Sequence, residues 1–501
     1  MMAGGGATVV NEGDIVAKNA YGMTVEKDVA SHIENGVNGT ITVLDQGAGI
    51  ELGGESGSTA VNNGKITVSD IAEGSWGHGV LIKADDGAST FTFTNNGEIS
   101  ATGTGASAIE VQNGDGTEAE INLMEGSQID GVVRVGEGTK VTLNAQGTDD
   151  SFILDSKSAE LTIKVSDGAN LTLENDDVKG NGALISEVVI DDGRLNASIW
   201  QDDNKFKKVT VNEGGIFSIQ DLNAGGTKGQ EHGAKDVTPH NTLLLAYGAD
   251  YKLDGGKLYV GDSEYHGNLK IGTANTSPED KGTGKLTIES GNYSFSRVEL
   301  GSGEGNSLTI NGGTLTADTF NATNGTTTVS GGGVLASENI EYTAGGNGTV
   351  KLSDGGTLRT SGKNIFIQSG EGEGASWGLS EFAQANFEQD GGDDEGILEI
   401  TDGFTTSLDK LREAQKLLDG TTLYFSNVTL TDEEITFDEN NGLTTANKEV
   451  TAGASKNGTT TLQLGSEKNV GVGAIRVDAD TTVISISDSD NATAGALLIS
   501  G

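Results

Sequence analysis

The sequence predicts an all-β chain folded as a right-handed parallel β-helix (solenoid), with loop excursions and one short helix near residues 406–419. Three observations predict it. Two short signatures interleave through the first hundred residues at one drifting period. Glycine is abundant and proline nearly absent, 78 against 2 in 501 residues. Aromatic residues are scarce, with 13 Phe, 8 Tyr and 3 Trp, as expected of a core only a few aliphatic side chains wide.

The first signature is Asn11-Glu12-Gly13-Asp14-Ile15. It returns as Asn38-Gly39-Thr40-Ile41, Asn62-Asn63-Gly64-Lys65-Ile66 and Asn95-Asn96-Gly97-Glu98-Ile99. Its glycines step by 26, 25 and 33 residues. The second signature is Gly22-Met23-Thr24-Val25, Gly49-Ile50-Glu51-Leu52, Gly79-Val80-Leu81-Ile82 and Ala108-Ile109-Glu110-Val111. It steps by 27, 30 and 29 residues. Periods of this length mark solenoids and arrays. Asn and Gly are expected to supply left-handed or otherwise special backbone angles at tight corners. Runs such as Ile66-Thr67-Val68 alternate apolar and polar residues, the period of a strand with one face buried. Proline would remove a ladder donor in each coil, so its scarcity fits a continuously hydrogen-bonded stack.

From residue 284 the repeat shortens. Ile288, Ile310, Val329 and Leu352 step by 22, 19 and 23 residues, a coil length suited to a right-handed β-helix. At about 4.8 Å per coil the stack is expected to be on the order of 100 Å long. The sequence divides into residues 1–150 with the long repeats and a less regular 151–283 carrying a polar loop at 223–242. After them come the short repeats of 284–370, an acidic, glycine-rich insertion with the short helix at 371–440, and final coils at 441–501. In the insertion, Thr406 or Ser407 is expected to cap the helix, Gly420 to end it, and Leu408, Leu411, Ala414 and Leu418 to form its apolar face.

The charge balance is 31 Lys and Arg against 74 Asp and Glu, a net −43. Such a field repels phosphate backbones and anionic lipid, so nucleic-acid partners and direct membrane insertion are not expected. There is no cysteine, hence no disulfide framework and no thiolate metal centre. The start lacks a basic and apolar signal, and the end, Ala496–Gly501, stops in mid-pattern. The expectation is a fragment or processed piece of something longer. The alternative is a complete protein exported through an uncleaved C-terminal signal.

The Asn-Gly-x-Ile corners, the Gly-x-x-aliphatic strands and the Gly-Gly-Thr-Leu steps (Gly312–Leu315, Gly355–Leu358) resemble the passenger regions of bacterial type V autotransporters. So do the acidic, cysteine-free composition and the scarce proline. The likeness is best over residues 10–111 and 284–360. It implies a right-handed β-helix displayed on a Gram-negative outer membrane through a C-terminal barrel. Its implied role is adhesion or self-association, with host or neighbouring-cell surface molecules, or a second copy, as partners.

Candidate chemistry is sparse. Gly77-His78-Gly79 and Gln201-Asp202-Asp203 are similar to motifs of pectin-cleaving β-helix hydrolases, where paired acids act as acid and base. Here their order is reversed, the Arg-x-Lys clamp has no match, and His78 is expected in a repeat corner. Gly374-Ala375-Ser376-Trp377-Gly378 spells a nucleophile elbow, but the last histidine, His266, lies upstream of it. His32, His78, His232, His240 and His266 form no His-x-x-x-His pair; His232 and His240 share a polar loop with Glu231 and Asp236. Calcium is the ion this acidic composition suits best. The densest acidic turns are Asn113–Gly116, Gly391–Glu395 and Asp488–Asn491, and none completes a calcium-loop motif. Trp76, Trp200 and Trp377 are isolated in sequence. No catalytic residue, cofactor site or metal site is therefore assigned. The expected function is a non-enzymatic, surface-displayed or secreted adhesion or self-association protein. The alternatives are a structural biofilm-matrix or surface-layer component and a polysaccharide-processing β-helix enzyme.

Overall fold

A computed structural model describes residues 1–406 apart from 26–28, 55, 70, 72–74, 85–87, 113, 115, 158–159, 175–184, 198–205, 220–241, 246–247, 261–262, 273–282, 370–375, 386 and 390–395. Beyond 406 it describes the strands Thr422–Leu430, Ile435–Thr436, Glu449–Ala452, Leu462–Gln463, Val470–Val472, Ala474–Val477 and Leu497–Ile499. The chain is nearly all β, with parallel strands stacked in long sheets. It packs as two compact units. The first holds Met1–Thr242 and Ala249–Tyr265, the second Leu243–Gly248 and His266–Gly501.

In the first unit each sequence repeat is one coil, and the repeat period sets the strand register. Ile15, Ile41, Ile66, Ile99 and Ile129 pair in one column. Met23, Ile50, Val80, Ile109 and Val133 pair in a second. A third face carries Ile33, Ala60, Phe93, Ile121, Leu143, Ile163, Val188, Val209 and Tyr251, all 2% exposed or less. These columns form the core, apart from the half-buried Ile15. Alternation along each strand turns the intervening Thr, Ser, Asp and Lys residues outward. At Asp149–Ser156 one strand takes over two neighbours, pairing with Val132–Val135 through Ile153–Ser156 and with Ala169–Glu174 through Asp149–Ile153.

Many corner glycines take the expected left-handed angles, among them Gly126, Gly138, Gly168, Gly313, Gly331 and Gly355, but the corners of the first signature do not. Gly13, Gly39, Gly64 and Gly97 do not have left-handed backbone angles. At Gly39, Gly64 and Gly97, though not at Gly13, glycine is needed because coils stack closely: a Cβ on Gly64 would collide with the carbonyl oxygens of Gly36 and Gly39. The asparagine equivalent to Asn11 is Asn35, not Asn38, since Asn11, Asn35, Asn62 and Asn95 are register partners. Two extra residues in that corner displace the resemblance to Asn38.

The same close stacking explains the glycine of the second signature. A Cβ on Gly49 would lie 2.7 Å from the carbonyl oxygen of Gly79 and 2.7 Å from Cγ2 of Ile66. Gly49→Ala is expected to cost about 2–4 kcal/mol through this overlap. Gly13→Ala, whose Cβ would meet nothing within 4 Å, is expected to stay within about 0.5 kcal/mol of wild type. Urea titration followed by circular dichroism checks the pair; equal midpoints would refute the steric account.

In the second unit Ile288, Ile310, Val329 and Leu352 are register partners, coil on coil. Among the described residues two short helices occur, Gly362–Ile365 and Glu381–Ala385. Thr406, expected as a helix cap, instead ends the strand Ile397–Thr406, and 407–419 lie outside the described residues. Thr242, expected in the polar loop, opens the buried strand Thr242–Leu245; the rest of that loop, 223–241, lies outside them too. Among the described residues no helix is long and apolar enough to cross a membrane.

Candidate functional site

The strands Thr40–Leu52, Gly77–Ile82, Ala106–Val111, Val132–Val135 and Asp149–Ser156 lie side by side in the first unit. Their register places Glu51, Leu81, Glu110, Arg134 and Asp155 in one row, on the face opposite the Ile50–Val133 core column. Ala48, His78 and Ser107 form a second row beside it. These rows bring His78, Ser107, Glu110, Arg134 and Asp155 together. His78 therefore belongs to a strand and not to a repeat corner.

His78 is 7% exposed, and its Nδ1 lies 2.6 Å from Oγ of the fully buried Ser107. The same nitrogen is 3.8 Å from Glu110 Oε2. Arg134 sits between two acids, its Nη1 3.7 Å from Glu110 Oε2 and its Nε 3.6 Å from Asp155 Oδ2. Glu110 Oε2 and Asp155 Oδ1 are buried and accept no hydrogen bond from the described residues. Trp76, 40% exposed, stacks on the His78 ring at 5.2 Å between centroids. At the other end of the row Glu51 accepts from Thr24 Oγ1 at 2.7 Å and pairs with Lys83 Nζ at 2.7 Å.

The electrostatics follow from burial. Desolvation, then the Arg134 charge, pushes the His78 pKa down to about 4, so the ring is neutral at neutral pH. Burial raises the pKa of Glu110, against the opposing pull of the nearby Arg134 charge. A nucleophilic triad needs the serine and the acid on different ring nitrogens. Here Ser107 and Glu110 both face Nδ1, and Ser107 has no exposure to a substrate. The geometry makes a hydrogen-bonded, ion-paired cluster under a tryptophan lid.

The other sequence candidates are not gathered here. His32 Nδ1 is 2.7 Å from Thr59 Oγ1, and His266 Nδ1 donates to the Ser294 carbonyl at 3.0 Å. Ser376 opens a strand, Ser376–Leu379, antiparallel to Phe366–Ser369, where an elbow would need a strand-to-helix turn. Trp200, Asp202, Asp203, Glu231, His232, Asp236 and His240 lie outside the described residues. So do Asn113, Asp115, Gly391–Glu395 and Asp488–Asn491. Among the described residues no group of three His, Asp or Glu side chains could hold a metal ion. Sequence reading missed Ser107, Arg134 and Asp155. The available signal was the repeat itself, because Glu51, Leu81 and Glu110 occupy one repeat position. No family model, curated protein or solved structure matches this chain.

Proposed function

We propose that this chain is a non-enzymatic adhesion or self-association protein. In this reading it is a right-handed β-helical passenger of the autotransporter kind, displayed on or secreted from a Gram-negative cell. The observation that carries the reading is the run of in-register outward rows of short polar side chains. Thr42, Thr67, Ser100 and Asp130 form one such row in the first unit. Thr287, Thr309, Thr328 and Lys351 form another in the second. Rows at one strand spacing offer many weak hydrogen bonds that add by avidity when two such surfaces align. The partner is a host or neighbouring-cell surface, or a second copy.

With a net charge of −43, two copies repel until their charges are screened or bridged. Cells displaying the chain are expected to settle faster as sodium chloride or calcium chloride rises, relative to cells without it. Settling that is independent of both salts would refute this mechanism.

A further inference from the structure

The second unit carries a cavity that none of the foregoing uses. Its volume is about 590 Å³, within the roughly 300–1,000 Å³ range of small-ligand sites. It lies across the strands Thr314–Asn321, Val334–Glu341, Thr357–Thr360 and Ile397–Thr406. Register places Thr316, Ala336 and Arg359 in one row of its lining. The hollow falls at Ala336, which stands between longer neighbours in that row with only a methyl group. Asp318 and Glu338 line the cavity from adjacent strands, and Lys363 lines it from the helix Gly362–Ile365.

The charges in the lining are not equivalent. Arg359 Nε donates to Glu399 Oε2 at 2.8 Å, and Lys363 Nζ donates to Asn339 Oδ1 at 3.1 Å. Glu399 neutralises Arg359, whereas Lys363 meets only a neutral amide and keeps its charge, so Asp318 and Glu338 leave the lining with one net negative charge. Asp318 and Glu338 are exposed, and their carboxylates take no hydrogen bond or ion pair among the described residues. They leave two acceptors of like charge on neighbouring strands, a pairing that destabilises the free protein and that a bound cation would relieve. Among the described residues no aromatic side chain lines the cavity, so they offer an uncharged sugar no face to stack on. The field of the whole chain repels anions. Thr316, Ser361 and Thr401 line the same space and suit a hydroxylated ligand, the Thr401 oxygen as an acceptor because its hydroxyl donates to the Thr360 carbonyl at 3.3 Å.

We infer that this groove binds an amino sugar with a free amine, its ammonium held by Asp318 and Glu338 and its hydroxyls by the threonine and serine side chains. The inference stands whether or not the chain mediates adhesion.

The test is calorimetric titration of the full chain with a glucosamine tetrasaccharide at mildly acidic pH and physiological salt. One tight site per chain is expected. The fully N-acetylated tetrasaccharide has the same backbone and no charge, and should bind on the order of tenfold more weakly or worse. Asp318→Asn with Glu338→Gln should cause a loss of similar size. Ala336→Phe, which fills the hollow and leaves the charge unchanged, should abolish the site. A cationic oligomer also adheres loosely to any acidic surface, so Asp250→Asn with Glu304→Gln removes the same charge elsewhere and should leave the tight site intact. Equal affinity for both oligomers, no tight site, or equal losses in the two double variants would overturn the inference. Circular dichroism of each variant separates lost binding from lost fold.

Discussion

Asn35→Ala and Asn62→Ala are expected to destabilise the first unit by about 3–5 kcal/mol each, while Asn38→Ala stays within about 0.5 kcal/mol of wild type. The contrast rests on a buried column of amides. Asn11 Nδ2 donates to Asn35 Oδ1 at 2.9 Å, Asn35 Nδ2 to Asn62 Oδ1 at 2.8 Å, and Asn62 Nδ2 to Asn95 Oδ1 at 2.8 Å. Asn95 Nδ2 passes the chain on to Ser127 Oγ at 2.8 Å. Asn35, Asn62 and Asn95 are fully buried. Three of the amides also clamp their own corners, donating to the carbonyls of Gly13, Gly39 and Gly97 at 2.9, 3.2 and 2.9 Å. Removing Asn62 leaves Asn95 Oδ1 without its donor and one N–H of Asn35 Nδ2 without its acceptor, in a buried site. Each orphaned group costs about 1–3 kcal/mol, with a cavity added. Asn38 is surface-exposed and donates only to Glu12 Oε2 at 3.3 Å, where water can replace the bond. Urea unfolding of the full chain, followed by circular dichroism, decides it. Equal effects at Asn35 and Asn38 would show that the ladder carries no stability.

Much of the stacking is legible in sequence. A parallel coil repeats its neighbour's inward residues, so Ile15, Ile41, Ile66 and Ile99 announce their own register, as do Ile288, Ile310, Val329 and Leu352. What one repeat does not disclose is which of two similar residues faces in. Asn35 and Asn38 both precede or adjoin a glycine, and only the path of the corner separates them. The His78 group is harder still. Ser107, Arg134 and Asp155 come from three further coils, and no local pattern marks an ion pair that forms across them. The short helix Glu381–Ala385 falls below the length at which apolar periodicity is readable.

The ladder ends on an acid, and this predicts an unusual pH response. Ser127 Oγ donates to Asp150 Oδ2 at 2.9 Å, and the Ile129 and Ser151 amides donate to Asp150 Oδ1 at 2.9 and 3.0 Å. Even with these three donors, burial pushes the Asp150 pKa up to about 6 from 3.8. The native state then holds this proton more tightly than the unfolded chain. Stability from Asp150 is fully present below pH 3.8 and is lost as pH rises through about 6, a change of about 3 kcal/mol. His78 acts in the opposite sense. Its native pKa of about 4 lies below its ordinary 6.5, so its contribution is full above pH 6.5. That contribution is lost as pH falls through about 4, again by about 3 kcal/mol. The two slopes overlap between roughly pH 4 and 6 and largely cancel in the wild type. Asp150→Asn, whose amide can still accept from the Ile129 and Ser151 amides, is expected to leave the variant most stabilised relative to wild type at pH 7, by up to about 3 kcal/mol. The advantage should vanish near pH 4. His78→Gln is expected to gain relative to wild type only on acidification. Taking differences from wild type at each pH removes the contribution of the general negative field, which all three proteins share almost equally. A difference between Asp150→Asn and wild type that stays constant from pH 4 to 7 would mean that Asp150 is ionised in the core at no cost, and would refute the burial argument.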